Sequence, residues 1–201
     1  MLSEKSFDTG EILINFAEDD TAAPPLVMLH GSTLCWQTFG EFIHTLEQNW
    51  HIYACDLRGH GKSGRASSGY RIADFVPDTV AFIKQFVGQP TQVLGFSTGA
   101  MATLGVAARL PKLIRGVVLL NPPLMLRDSS IKQASEPYSW FTCVSETLAT
   151  TRTVEGILAR LRELAPEQPE IDAHNDAKMI LNIDPESIAF ILNDRFMRIL
   201  T

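Results

Sequence analysis

The chain of 201 residues carries 17 Lys+Arg against 23 Asp+Glu, a formal net charge of −6, with 45% hydrophobic and 20% charged residues. That is ordinary globular composition and excludes a disordered, collagen-like or low-complexity chain. The acidic balance offers no electrostatic footprint for nucleic acid or an anionic membrane surface, and the length suits one domain or a domain with an inserted subdomain.

The first residues, Met1 to Asp8, lack both a basic segment and an apolar run, so no export signal is read there. Glu11–Phe16 is a short extended run, turned around by Glu18-Asp19-Asp20 and Pro24-Pro25. Leu26–Leu29 is a continuous apolar strand ending at His30-Gly31. A helix comes next over about Trp36–Gln48, with Phe39, Phe42, Ile43 and Leu46 on one face. His51–Cys55 is the next strand and runs into a glycine-rich loop. Helical spacing resumes over Ile72–Val87, with Pro77 marking a start or a kink. Then come a strand at Gln92–Phe96, a small-residue helix at Thr98–Leu110 and a strand at Ile114–Leu120. This alternation with unbroken apolar strands predicts an α/β fold: a mostly parallel, doubly wound sheet covered by helices on both faces.

After Pro122-Pro123 the texture changes to helical stretches near Ser139–Leu148, Val154–Leu164, Ile171–Ile180 and Pro185–Leu200. Asp184 caps the last of these, with Pro185 at its first helical position. The expected organisation is a core over 1–125 and a helical cap over 126–201, packed above the ligand-binding edge of the sheet. The longest apolar stretch, Val117–Leu126, is interrupted by Asn121-Pro122-Pro123 and is too short to span a bilayer. Cys35, Cys55 and Cys143 are odd in number and lack metal-ligand spacing. They read as reduced thiols of a soluble, cytoplasmic protein with no metal and no cofactor.

The sharpest motif is Gly95-Phe96-Ser97-Thr98-Gly99, between an apolar strand and a small-residue helix. A serine hydroxyl becomes a useful nucleophile when it is held clear of its neighbours and within reach of a base. A sharp strand-to-helix turn does this, and small residues two positions either side let strand and helix approach. The same turn sets the Thr98 backbone N–H at a helix N-terminus, where an oxyanion would develop. His30-Gly31-Ser32 ends an earlier strand, so both loops open on one crevice beyond the carboxyl ends of the strands. The Ser32 N–H is the natural second oxyanion donor. His30 fits hydrogen bonding inside its loop better than the role of base.

Gly59-His60-Gly61-Lys62-Ser63-Gly64 satisfies a dinucleotide-loop spacing, with Asp78 at about the distance of a ribose ligand. Yet Arg65–Gly69 continues the loop where that motif would open a helix, and Asp56 stands where a P-loop needs its first glycine. The plainer reading is a structural turn in which Asp56 and Arg58 bond loop backbone.

In this order the motifs resemble the α/β-hydrolase family, through His30-Gly31-Ser32, Asp56–Ser63 and Gly95–Gly99. The resemblance covers about positions 10 to 125 closely and the cap only by location and helicity. It implies Ser97 as nucleophile, Thr98 and Ser32 backbone N–H groups as the oxyanion hole, and a lid after the sixth strand. A serine at the elbow disfavours the branches that use aspartate there. Esterase, thioesterase, lactonase and carbon–carbon bond hydrolase branches stay open, with a small-molecule substrate and water as partners and homo-oligomerisation undecided. His30, Gly31, Trp36, Tyr138 and Trp140 are the expected pocket residues.

The resemblance further implies an acid and a histidine on two strands after the cap. None of His30, His44, His51, His60 and His174 holds that place, Asn121 stands at an alternative acid position, and Asp128 is the closest acid. The acid and histidine of the triad are therefore expected outside this sequence, which reads as a fragment, or less readily as a chain whose sheet a partner completes. The run Gly116–Leu120 would then form an exposed sheet edge. A non-catalytic binding protein on the same scaffold is the alternative.

Overall fold

A computed structural model describes residues 2–124 and 135–193. One sheet holds β1 (Ser3–Asp8), β2 (Leu13–Glu18), β3 (Pro25–Leu29), β4 (His51–Cys55), β5 (Thr91–Phe96) and β6 (Ile114–Leu120). Their order is β1-β2-β4-β3-β5-β6. β4, β3, β5 and β6 are parallel, while β2 is antiparallel to both its neighbours. The mostly parallel sheet agrees with the unbroken apolar strands: β3 is buried along its whole length because both faces are covered. Its side chains alternate, Val27 and Leu29 joining one apolar cluster and Leu26 and Met28 the other.

Helices α2 (Ile72–Ala81) and α3 (Thr98–Arg109) cover the first face through Ile72, Phe75, Val76, Met101 and Val106. A 3₁₀ turn at Trp36–Phe39 and α1 (Gly40–Leu46) cover the second through Phe39 and Ile43. Phe42, expected on the buried line, is 56% exposed. A seven-residue helix presents one narrow line to the sheet, and Phe39 and Ile43, four residues apart, occupy it.

The last four helices are α4 (Glu136–Thr150), α5 (Val154–Leu164), α6 (Glu170–Leu181) and α7 (Pro185–Leu192). Val144, Leu148, Ile157, Leu161, Ile180 and Ile188 merge with the first cluster, so these helices share one core with the sheet. Asp184 does cap α7, accepting from the Glu186 N–H at 3.1 Å. It also ties the helices to the glycine-rich loop: its N–H donates to the Gly59 carbonyl at 2.7 Å, and the Tyr70 hydroxyl donates to its carboxylate at 2.6 Å.

Strand β1 is not visible in the sequence. Five of its six residues are exposed and only Phe7 packs on the core, so it carries no apolar period. Its charges suit an edge: Lys5 pairs with Glu18 and Glu4 with Lys62, both at 2.7 Å. At the other end of the described sheet, Val117 and Val118 of β6 are 40% and 42% exposed. Pro77 lies inside α2 rather than at its start, and the helix runs on into a π turn at Phe82–Val87 that ends at Gly88. Asp128 and the segment after Asn193 lie outside the described residues.

Candidate active site

Ser97 is the hinge between β5 and α3, and its backbone lies at φ 52°, ψ −113°. A non-glycine residue there costs on the order of 1–3 kcal/mol, which the surroundings must offset. The Ser97 N–H donates to the Leu120 carbonyl at 2.8 Å, fastening the turn to β6. Glycine at 95 and 99 is dictated by contact. A Cβ on Gly95 would run into the Gly99 carbonyl and lie 2.5 Å from Thr103 Oγ1. One on Gly99 would strike the Leu29 carbonyl oxygen and approach the His30 carbonyl oxygen to 2.6 Å. Ser97 itself is half-buried, while Thr98, Gly99 and Ala100 behind it are buried.

The His30–Leu34 loop lies against this turn. A Cβ on Gly31 would sit 3.1 Å from the Cβ of Ser97, so glycine lets the two chains meet. Ser32 Oγ and Thr98 Oγ1 are 2.6 Å apart and hydrogen-bonded. That bond brings together the two residues whose N–H groups are the candidate oxyanion donors. The Thr98 N–H, at the first turn of α3, has no intrahelical acceptor. Thr33 adopts φ 67° and its hydroxyl accepts from the Trp140 indole N–H at 3.4 Å, joining α4 to the loop.

His30 is fully buried. Its Nδ1 donates to the Gly31 carbonyl at 2.7 Å and its Nε2 accepts from the Leu57 N–H at 2.9 Å, so both nitrogens are committed. Burial drives its pKa down to about 4, against a smaller upward pull from the Gly31 carbonyl. It braces two loops and lies behind the surface. His60, also at about 4 through burial and the nearby His30, bonds the Arg58 carbonyl through Nδ1, and its buried Nε2 has no partner among the described residues.

The 56–64 loop is closed on itself. The N–H groups of Gly59, His60, Ser63 and Gly64 donate to the carbonyls of Gly64, Leu57, His60 and Leu13. Those of Lys62 and Trp36 go to the Asp56 carboxylate at 3.0 and 2.7 Å. Asp56 therefore bonds loop backbone, as expected. Arg58 differs: apart from the Gly69 carbonyl, it forks onto the carboxylates of Asp78 and Glu11. Burial works against its charge, but these two carboxylates outweigh that and hold the guanidinium above its usual range. Asp78, the would-be ribose ligand, is buried under Arg58. Five of the six N–H groups of the 59–64 loop, the donors a phosphate would need, are thus taken.

A cavity of about 280 Å³ opens at the Ser32 loop and Phe96, the residue before Ser97, which is not itself one of the walls. Its walls are Ser32, Thr33 and Leu34 of the loop, Phe96, Trp140 of α4, and Asp176 and Ile180 of α6. Of the expected pocket residues, Trp140 lines it, while Gly31 packs against Ser97 and Phe96 and is not among its walls. His30 is interior, Trp36 packs on the second apolar cluster, and Tyr138 lines neither this cavity nor the next. The Trp36 main chain is held by its bond to Asp56, and its side chain packs against the second apolar cluster. Sequence reasoning misses Asp176 and Ile180, although their four-residue spacing marks one helix face. A second cavity, about 660 Å³, lies between α6 and the segments around Thr38 and Gly61. Asp176 belongs to both. His174, also on α6, lines neither.

Among the described residues no helix is long and apolar enough to cross a membrane, and no three His, Cys, Asp or Glu side chains are grouped to hold a metal. Cys35 and Cys55 are buried free thiols; burial pushes that of Cys35 up to about 12.

The family model described as serine aminopeptidase, S33, matches residues 21–199. A 2-(acetamidomethylene)succinate hydrolase of Mesorhizobium japonicum is 30% identical over 114 residues, 57% of this chain and 41% of that protein. A pyrrolizixenacetamide deacetylase of Xenorhabdus hominickii is 26% identical over 164 residues, 81% of this chain and 59% of that protein. The solved structure of an E-2-(acetamidomethylene)succinate hydrolase superposes with a TM-score of 0.75 at 20% identity, covering 97% of this chain and 74% of that one. The superposition speaks for the fold alone. The chain thus spans about half the length of these two curated relatives.

Proposed function

The chain belongs to the α/β-hydrolase family, in its serine aminopeptidase S33 group, and on that premise we propose that the whole protein is a serine hydrolase of small acyl compounds. The observation that carries the reading is the strained, non-glycine backbone at Ser97, with Ser32 and Thr98 joined at 2.6 Å beside it. Strain of this kind clusters at functional sites, where the surrounding structure holds it in place. Ser97 Oγ attacks the carbonyl carbon, and the oxyanion is received by the N–H groups of Thr98 and Ser32. The hydroxyl proton passes to a general base and on to the leaving group, and water then cleaves the acyl–serine bond. No described histidine lines the cavity beside Ser97, so the base is assigned outside the described residues. Helices α4–α7 act as the cap over 126–201, and the compartment is the cytoplasm.

Esters, thioesters, lactones and activated carbon–carbon bonds fit this chemistry. The two relatives' names, one a hydrolase of an acetamidomethylene compound and one a deacetylase, add amides to the class. The test is active-site labelling of the whole protein with a neutral alkyl fluorophosphonate. Labelling mapped to Ser97, with loss of label and at least a thousandfold loss of hydrolysis in Ser97→Ala, is expected. An unlabelled Ser97, with hydrolysis unchanged in that variant, overturns the reading.

A further inference from the structure

The cavity beside Ser97 is unevenly charged. Among its described walls Asp176 is the one charged side chain, the others being hydroxyl, aliphatic or aromatic. Its position is held: Gln168 Nε2 donates to Asp176 Oδ2 at 2.8 Å, and Oδ1 has no hydrogen-bond partner among the described residues. A carboxylate with one oxygen braced and the other free, on the wall of a cavity bounded by Phe96 and Ser32, the neighbours of a candidate nucleophile, is placed to receive a donor from a bound molecule.

Two aromatic rings share this cavity, Phe96 and Trp140. The Trp140 ring is anchored through its indole N–H to Thr33 at 3.4 Å. Aromatic faces attract cations and a carboxylate pairs with them, so the two kinds of wall favour the same charge. The larger cavity that meets this one at Asp176 points the same way. It adds Glu41 and Asp172 to the acidic side, against Lys62 and Lys178, and Lys62 is already paired with Glu4 at 2.7 Å. Asp56 also borders it, though its carboxylate is taken up by Asn15, Trp36 and Lys62. A cation passing inward meets attraction and an anion meets repulsion.

We propose that Asp176 determines specificity at this site, selecting acyl substrates that carry an ammonium group away from the scissile bond. The proposal rests on the reading of Ser97 as nucleophile, and binding separates the two. Choline and its neutral isostere 3,3-dimethylbutan-1-ol differ in charge at nearly constant shape. Calorimetric titration of the whole protein is expected to show choline binding about tenfold more tightly. Asp176→Asn should bring the two within about twofold without weakening the neutral alcohol, which shows the cavity intact, and Asp176→Glu should retain the preference for choline. Equal binding of the pair by the unaltered protein overturns the proposal, as does a preference that survives in Asp176→Asn. Because no bond to Ser97 is made, the result stands whether or not fluorophosphonate labels that residue.

Discussion

Two glycine-rich segments come directly after strands in this chain, and they do opposite things. The loop at 56–64 turns inward. Asp56, Arg58 and His60 are buried, and its N–H groups are largely satisfied by its own residues or their neighbours. The turn at 95–99 turns outward, with a half-buried serine in a strained conformation above a buried helix start. Glycine works in both, but for different reasons. Gly61 sits at φ 53° with the Asp56 carboxylate where a side chain would be, which closes the loop around that carboxylate. Gly95 and Gly99 let strand and helix touch, which leaves Ser97 half-buried at the apex. Spacing of glycines does not tell these cases apart. The continuation of the chain does: coil after Gly64, a twelve-residue helix after Ser97.

If the inward loop is structural, its disruption should cost stability first. The largest effect expected is of pH. His30 and His60 have folded pKa values near 4, below the unfolded 6.5, so the unfolded chain binds their protons more readily. Their joint contribution is complete above pH 6.5 and is lost as pH falls towards 4. Urea midpoints measured between pH 7 and pH 4.5 should fall, and His60→Gln should flatten the slope. An unchanged slope would break the comparison.

Next comes Arg58→Met, which strands the buried Asp78 carboxylate and should cost about 3–5 kcal/mol in urea unfolding. The folded fraction should still be labelled at Ser97. Gly99→Ala sharpens the other side: its Cβ meets the Leu29 and His30 carbonyls, an overpacking of about 1–3 kcal/mol that also shifts the Thr98 N–H. It should slow fluorophosphonate labelling more than its stability loss explains. The smallest effect is none at all: NAD or ATP should leave the melting temperature of the protein unmoved, because the N–H groups of Gly59, His60, Lys62, Ser63 and Gly64 are engaged elsewhere.

Much of the fold is legible in the sequence because burial on both faces leaves continuous apolar runs, as in β3, and helices leave period and caps, as at Asp184. β1 leaves no such trace, since a solvated edge strand needs no apolar pattern. The elbow is legible because strand, small residues and helix are adjacent along the chain. The pocket is less so. Trp36 and Tyr138 are near the loop and the cap by position, yet neither ring lines the cavity, while Asp176 reaches it from a helix far along the chain from Ser97.

The sequence by itself determined the succession of elements from Leu13 to Leu120, the turn at Ser97 and the inward character of the 56–64 loop, because each depends on neighbours along the chain. The tertiary structure alone decided that Ser32 meets Thr98, that His30 is locked between two loops, and that Asp176 faces the same cavity as Trp140. Those contacts join segments distant in sequence, and what brings them together is the packing of helices onto one buried sheet, which no local pattern records.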